Sequence, residues 1–455
     1  MSSYKGKTEV LILGGGISGL SVAWELHKDG IPFKLIEKQS ETGGMISSST
    51  ADGTVLDFGP NSLRDRDGTI RKLAEEVGLK DEIVEISEAL KTRFIVRDGE
   101  LQALTPSLKT LFTTKVISGK AKLRVLAEPF ISKGTTEDES VGAFLERRIG
   151  KEAVEYLLDP VFSGIYAGDI YQISKKEILP KLVENEQEFG SIVMGSIRSK
   201  KEKPDITPKV LTFKKGIQQL TIAISSRISD HILNEEVTSL RKTGNRFEVE
   251  TSEGKHQADK VISCLPAHSL SSFFKTFDPA FSQALHSIDY APMLSTQVIF
   301  KIDDIELPQS GFGFLIPRKE NIRLLGAIWK SSIFPELTSD GKIHFTLMTG
   351  GVHDRDILSD DIQKVEQYIL SEFSELMNIT SKPEFIKSML WPKAIPQFHV
   401  GYEAIRSEFN RIEAANPGFY LGGNFRWGVS VPDCVKGADD LVKAMKEKEQ
   451  PRSVR

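Results

Sequence analysis

The feature that most constrains this chain is a run of glycines lodged between a strand and a helix. Val10-Leu11-Ile12-Leu13 is a continuous apolar run, the pattern of a strand buried on both faces, and it ends in Gly14-Gly15-Gly16-Ile17-Ser18-Gly19. Ile17, Leu20, Val22, Ala23 and Leu26 then recur at helical spacing, and Lys28-Asp29-Gly30 closes that helix. Phe33-Lys34-Leu35-Ile36-Glu37 reads as a second short strand, so the stretch forms one βαβ unit. In a G-x-G-x-x-G turn the glycines allow a tight bend, close approach of backbone to a pyrophosphate, and close packing of helix on strand. The helix N-terminus offers unpaired N–H groups and the positive end of its dipole to the phosphates. Glu37 ends the second strand about 20 residues after the glycines, where a carboxylate binds ribose hydroxyls. A dinucleotide is the expected ligand.

Gly43-Gly44-Met45 follows soon after Glu37. Nicotinamide enzymes have no general need for a second glycine pair there, and an acid at Glu37 disfavours the 2′-phosphate of NADP. The arrangement resembles the two-dinucleotide-domain flavoproteins, whose glycine pair lets the chain pass close to the flavin end of FAD. Near the C-terminus, "PGFYLGGNFRWGVSVPDCVKGADDLVKAM" reads as a strand, a Gly-Gly turn and a helix starting near Pro432-Asp433. A second helix N-terminus there can face a flavin and its anionic reduced form. Non-covalent FAD is the expected cofactor.

Composition narrows the remaining classes. The chain has 455 residues, 39% of them hydrophobic, and a formal net charge of -4 from 59 basic and 63 acidic side chains. That balance gives no electrostatic case for nucleic acid. No apolar run approaches the roughly 20 residues that cross a bilayer, and the polar start "MSSYKGKTE" is unlike a secretory signal. Cys264 and Cys434 stand far apart and the eight histidines are scattered, so neither a disulfide framework nor a metal site is indicated. A cytoplasmic protein is expected.

Helical spacing dominates from Ile70 to Asn185, with breaks at Pro106 and Pro129. A charged, proline-bearing connector from Arg198 reads as a solvated loop. Gly216 to Leu265 is β-rich, as is the block from Leu294 to Gly351; Asp361 to Met377 is an amphipathic helix. The tail after Met445 is charged and expected to fray.

Further blocks resemble one family. "LDFGPNSLR" (Leu56 to Arg64), "ESVGAFLERRIGKEAVEYLLDPVFSGIYAGDIYQIS" (Glu139 to Ser174), "SGFGFLIP" (Ser310 to Pro317) and "GNFRWGVSVPDC" occur in the order found in oxygen-dependent, FAD-containing protoporphyrinogen and coproporphyrinogen III oxidases. Together they cover nearly the whole chain. The resemblance implies a mixed α/β, two-dinucleotide-domain fold: a discontinuous Rossmann-type FAD domain (1–90, 205–290, 395–445), a mainly helical domain (91–204), a β-sheet substrate domain (291–394) and a flexible tail (446–455). It implies oxidation of a porphyrinogen to a porphyrin in three flavin cycles, each using O2 and releasing H2O2. Protoporphyrinogen IX is the first expectation and coproporphyrinogen III the alternative, with an amine oxidase or an inactive flavin-binding scaffold as more distant readings. A peripheral membrane contact of the helical domain, a homodimer, and ferrochelatase as receiver of the product belong to the same implication.

Carried over residue by residue, the resemblance assigns substrate contacts to Arg93 (a propionate anchor), Gly164 (whose carbonyl orients pyrrole N–H groups), and Phe312, Leu315 and Met348 (apolar clamps on the rings). It assigns cofactor contacts to Gly14, Gly15, Gly16, Ile17, Ser18 and Gly19; to Glu37, Lys38, Gly44 and Met45; to Gly59, Pro60, Asn61 and Ser62; to Val237 and Trp391; and to Gly423, Val429, Ser430 and Val431. No catalytic acid, base or nucleophile is expected, because the flavin carries the chemistry. Many relatives have arginine or tryptophan where this chain has Met45, which removes a polar side chain from that contact. Lys91, Arg97 and Arg318 are candidates for further carboxylate anchors.

Overall fold

In the computed structural model, residues 4–86, 92–105, 113–199, 209–305 and 311–449 are described. The glycine run follows a strand, Tyr4–Leu13, that pairs in parallel with Phe33–Glu37 on one side and Gly254–Ser263 on the other. Ile232–Asn234 extends the parallel array beyond Phe33–Glu37, and Phe419–Leu421 adds to Gly254–Ser263. Antiparallel Arg246–Thr251 and Val237–Thr243 complete a seven-stranded sheet. The apolar run behaves as a doubly covered strand should: Val10 and Ile12 enter one core, Leu11 and Leu13 the other, and all four have 0% exposure. Helices Ile17–Lys28 and Val431–Glu449 cover the first side through residues such as Leu20, Val22, Val435 and Val442. Ala267–Phe274, Pro279–His286 and Tyr402–Ala415 cover the second.

A second seven-stranded sheet runs Phe385–Pro396, Tyr290–Lys301, Lys342–Gly350, Leu324–Trp329, Gly313–Leu315, Arg93–Arg97, Glu100–Leu104. Helix Ile362–Met377 closes its back through Val365, Ile369 and Phe373, and the Asp361 carboxylate caps that helix by accepting from the Gln363 N–H. A helical region runs from Gly119 to Ser199. Its centre is ionic: Arg148, with 0% side-chain exposure, donates to Glu128 at 2.6 Å and pairs with Glu186 at 3.3 Å.

Several elements differ from the sequence reading. Ile83–Glu85, Arg93–Arg97 and Glu100–Leu104 are strands within a stretch whose spacing reads as helical, and the last two belong to the second sheet. Helix Gln218–Arg227 interrupts the β-rich block. The last helix begins at Val431 and runs past Met445 to Glu449 instead of fraying, because Met445 is buried and Lys446 pairs with Asp29 at 2.9 Å. Pro106, Lys91 and most of the connector after Arg198 lie outside the described residues. Among the described residues no helix is long and apolar enough to cross a membrane, and no group of three His, Cys, Asp or Glu could hold a metal ion.

Candidate functional site

The three motif glycines differ in what a side chain would meet. Gly14 has φ +98°, which favours glycine, and donates its N–H to the Ile36 carbonyl at 2.9 Å. A Cβ on Gly19 would land on the Gly14 carbonyl oxygen, so the helix lies against the turn only because that atom is missing. Gly16 is different. Its φ is -70°, it caps helix Ile17–Lys28, and a Cβ there would meet nothing nearer than Gly44 Cα at 4.0 Å. Neither backbone conformation nor packing demands glycine at 16; the open space above it is what a closely approaching pyrophosphate requires. Ile17 and Ser18 open the helix, so unpaired N–H groups face the same space. The Glu37 carboxylate closes one side, accepting from the Gly15 N–H at 2.7 Å and the Gln39 N–H at 2.9 Å. Val237 lies on the same flank, since the Glu37 carbonyl accepts from the Glu235 N–H at 3.0 Å and from Asn234 Nδ2 at 3.1 Å. Lys38 is exposed; after burial, the charges of Lys393 and Lys38 help push the neighbouring His268 imidazole down to about 4.

The second glycine pair crosses the first. Gly43 donates to the Gly15 carbonyl at 2.9 Å, and Gly16 and Gly43 form a parallel bridge. Gly43 and Gly44 have φ +126° and +62°. Met45 then packs with Ala167, Met348 and Trp391 in one apolar cluster. A Cβ on Gly59 would strike the Met45 carbonyl, so Gly59-Pro60-Asn61-Ser62 lies directly along this crossing. Trp391 Nε1 donates to the Phe58 carbonyl at 2.9 Å, fastening the second sheet to the same segment.

The sequence reading missed a buried tie between the end of strand Leu324–Trp329 in the second sheet and the small hairpin Ser48–Asp57 with the segment after it. Lys330, 1% exposed, donates to Asp57 at 3.1 Å and to the Asn61 carbonyl at 3.0 Å. Asp57, equally buried, also accepts from Ser48 Oγ at 2.6 Å and the Ile217 N–H at 3.0 Å. Gln297 Nε2 donates to the Asp57 carbonyl at 2.7 Å, and Thr346 Oγ1 lies 3.0 Å from Asn61 Oδ1. A lysine just after a strand gives no sequence signal of such a role.

At the C-terminal segment, Gly423 has φ +111° and caps the short helix Asn424–Trp427. Val429, Ser430 and Val431 lead into the long helix, whose start is capped by Ser430 Oγ accepting from the Asp433 N–H at 3.2 Å. Trp427 is held where a Cβ on Gly422 or Gly437 would stand, in the core that includes the glycine helix. It thus packs in a different cluster from Trp391.

Of the expected substrate residues, Arg93, Leu315 and Met348 stand on strands of the second sheet, Phe312 just precedes one, and Gly164 lies on a neighbouring helix. Leu315 pairs with Gly326, and Gly326 with Met348, so two apolar side chains flank a bare backbone position in one row. A Cβ on Gly326 would stand 3.2 Å from Leu315, so only glycine leaves this step flat. Gly164, on helix Asp159–Tyr166, faces Leu315 closely: a Cβ there would be 2.9 Å from Leu315 Cδ2. Phe312 donates its N–H to the Thr92 carbonyl at 3.0 Å, and its ring lies 5.0 Å below the Arg93 guanidinium. Met348 shares the cluster of Met45 and Trp391, so the substrate row and the glycine crossing meet there. Two of the further anchors are otherwise engaged. Arg318 is bound to Asp159 at 2.8 Å, and Arg97 lies 3.7 Å over the Tyr156 ring and pairs with Asp98 at 3.3 Å.

Comparison with known proteins agrees with this geometry. The family model described as flavin containing amine oxidoreductase matches residues 17–440. The chloroplastic protoporphyrinogen oxidase of Nicotiana tabacum is 30% identical over 95% of this chain and 84% of its own. The coproporphyrinogen III oxidase of Bacillus subtilis (strain 168) is 27% identical over 94% and 96%. In fold, a crystal structure from Exiguobacterium sp. 255-15, provisionally assigned as a protoporphyrinogen oxidase, superposes with a TM-score of 0.83 at 22% identity, over 98% of this chain and 100% of that one. The βαβ glycine cradle, the second glycine pair laid across it and the apolar row beside them are therefore parts of a flavoprotein: the chain belongs to the flavin-containing amine oxidoreductase family, among its porphyrinogen oxidases.

Proposed function

We propose that this protein is an FAD-dependent oxidase of porphyrinogens in haem biosynthesis, with O2 as the electron acceptor. The observation that carries the reading is the meeting, at Met348, of the glycine crossing with the flat row Leu315–Gly326–Met348. Protoporphyrinogen IX and coproporphyrinogen III share the macrocycle this row would hold. In this reading residues 1–90, 205–290 and 395–445 would form the cofactor half, and residues 291–394, with the hairpin at 93–104, the substrate half.

The residues present fit FAD. Gly16 leaves room for the pyrophosphate against the helix N-terminus, Glu37 takes the ribose, and Val237 lies on the adenine flank. The Gly43-Gly44 and Gly59–Ser62 segments, with Trp391, border the flavin end, and the Val431–Glu449 N-terminus faces it beside Gly423. Burial pushes the Cys434 thiol up to about 12, which keeps it protonated at neutral pH and favours a non-covalent flavin. When bound, the flavin supplies two-electron acceptance and reaction with O2. The chain's own share is positioning. Leu315, Met348 and Phe312 hold the ring faces, the Gly164 carbonyl orients pyrrole N–H groups, and Arg93 fixes the macrocycle's orientation by a guanidinium–carboxylate fork.

Purified protein mixed aerobically with each porphyrinogen should generate porphyrin fluorescence and peroxide, and anaerobic addition should bleach the flavin. Oxidation of polyamines but of neither porphyrinogen would overturn the reading in favour of an amine oxidase. Arg93→Ala should raise KM for porphyrinogen about tenfold with kcat within about twofold, since a charge-assisted bond of this kind holds ground and transition states alike. Steady-state kinetics check it, and an unchanged kcat/KM removes Arg93 from the site.

We propose a peripheral membrane contact through helix Gly119–Leu126 and the turn after it, where Leu123 is 68%, Leu126 45% and Phe130 88% exposed beside Lys120 and Lys122. Leu123→Glu/Phe130→Glu should lower co-sedimentation with anionic vesicles about tenfold. A homodimer and transfer of product to ferrochelatase complete the proposal, to be checked by sedimentation and pull-down.

A further inference from the structure

Helix Asp159–Tyr166 meets the apolar row at both of the row's ends. At one end, a single methyl of Leu315 fills the room left by two missing side chains. A Cβ on Gly164 would stand 2.9 Å from Leu315 Cδ2, and a Cβ on Gly326 would stand 3.2 Å from the same atom. At the other end Ala167, the left-handed cap of the helix at φ +48°, shares its apolar cluster with Met348. Two fastenings hold the helix there. The Ala167 carbonyl accepts from the Val352 N–H at 2.9 Å, in the turn that follows the Met348 strand. Only glycine fits at 351, where φ is +91° and a Cβ would stand 2.8 Å from that carbonyl oxygen. The second fastening is ionic. Arg318, on the turn just after the Leu315 strand, donates through Nε to Asp159 Oδ2 at 2.8 Å and through Nη2 to Asp159 Oδ1 at 3.1 Å.

This fork is built for geometry. Asp159 is 4% exposed and opens the helix, where a carboxylate also complements the helix dipole. A bidentate pair fixes angle as well as distance, which a single ammonium cannot do. The turn that runs into Asp159, Val154–Leu158, is π-helical, a rare conformation that recurs at functional sites. The same guanidinium donates through Nη1 to His353 Nε2 and stands 3.7 Å from Asp169 Oδ1, beyond the far end of the helix. His353 follows Val352, so Arg318 joins the ionic fastening to the backbone one. Lys319 adds a pair with Glu155 at 3.3 Å. Arg318 thus meets carboxylates of this chain, not those of a substrate.

We infer that Arg318 and Asp159 are positioning residues for porphyrinogen oxidation: their fork holds helix Asp159–Tyr166 at the height that keeps Leu315 between Gly164 and Gly326, and so fixes the surface against which the macrocycle lies. This rests on the porphyrinogen reading of the same site. Both residues act through Leu315 rather than by touching substrate. Without the fork the helix keeps its Val352 bond, pivots on it, and the Leu315 end of the row loses its shape. A substrate still binds by its remaining contacts, but away from near-attack geometry, where a misplacement of about 1 Å can cost about a hundredfold in rate. The loss therefore falls on electron transfer from the porphyrinogen and spares flavin binding and the reaction of reduced flavin with O2.

The test compares flavin-loaded wild type, Arg318→Met, Asp159→Asn and the double variant by anaerobic stopped flow with protoporphyrinogen IX and coproporphyrinogen III. Each variant should bleach its flavin at least about tenfold more slowly than wild type, with the half-saturating porphyrinogen concentration within about threefold. The double variant should be no slower than the worse single, because both changes break one contact. Flavin content and reoxidation by O2 should match wild type, and amide hydrogen exchange across Asp159–Tyr166 should rise. The double variant strands no charge at position 159, so it is read alone if a single variant fails to fold. Were Arg318 a substrate anchor, Arg318→Met would weaken porphyrinogen binding about tenfold and Asp159→Asn, which frees the guanidinium, would tighten it. That pattern overturns the inference, as does bleaching of the double variant at the wild-type rate. Loss of flavin or of folding in the double variant overturns it too, since the fork would then hold the fold and not the substrate. In each of these cases the porphyrinogen reading stands. If neither porphyrinogen bleaches wild type, both fall.

Discussion

Lys330→Met should destabilise the protein by about 3–5 kcal/mol, the usual result of removing one partner from a buried ion pair. The cause is what remains rather than what is lost. Asp57 is 1% exposed, and Ser48 Oγ and the Ile217 N–H would still bind it, but no cation would stand beside its carboxylate. The Asn61 carbonyl would also lose its Lys330 donor, loosening the Gly59–Ser62 segment, so flavin retention should fall along with stability. Denaturant unfolding followed by flavin and tryptophan fluorescence measures both. Lys330→Met/Asp57→Asn should recover at least about half of the loss, because it removes the stranded charge and keeps an acceptor for Ser48 and Ile217. Equal stability of the single and double variants would show that a stranded Asp57 charge is not what destabilises the Lys330→Met protein.

Gly16→Val should give a folded protein that purifies with about a tenth or less of the normal flavin, because the branched side chain would occupy the space that a pyrophosphate must enter. The backbone at Gly16 is extended, with φ -70° and ψ 177°, a conformation valine adopts without strain. The apoprotein should therefore stay within about 1 kcal/mol of wild-type apoprotein, the modest effect of exchanging glycine for a poorer helix cap. Gly19→Ala is the control of opposite kind: its Cβ would collide with the Gly14 carbonyl, so folding should fail before cofactor binding can be read. Absorbance ratios at 450 and 280 nm, read beside thermal unfolding of the apoproteins, separate the two, and a Gly16→Val protein with full flavin removes that glycine from the cradle.

What the sequence disclosed was local. The βαβ unit, the Asp361-capped helix Ile362–Met377 and the strand Phe419–Leu421 depend on neighbours within a few residues, and their patterns can be read. Strand Phe385–Pro396 could not be read that way: it carries Lys387, Lys393 and Pro392 with little alternation, and it is a strand because Tyr290–Lys301 pairs with it. The strands at 93–104 are likewise fixed by the second sheet. In the site, glycines with positive φ announce themselves, whereas Gly326 is notable only beside Leu315 and Met348. Lys330 and Asp57 are 273 residues apart, and nothing near either names the other. Asp65, between Arg64 and Arg66, looks like their partner until the strand turns it inward to Arg71.

The order of strands in the first sheet also governs when this protein can become itself during synthesis. The glycine turn is made long before its partners, for its strand Tyr4–Leu13 is held on one side by Gly254–Ser263, and Glu9 meets Lys260 across 251 residues. The helix that covers one face of that strand, Val431–Glu449, is made later than every strand of the sheet. Closing such long loops is slow, and until they close the nascent chain exposes a strand meant to be dry on both faces. Ribosome-stalled chains ending before Val431 should therefore fail to capture flavin although they carry the entire glycine motif. Acquisition of the cofactor would then wait until Val431–Glu449 has been made and docked, and chains short of that point would stay vulnerable to proteases.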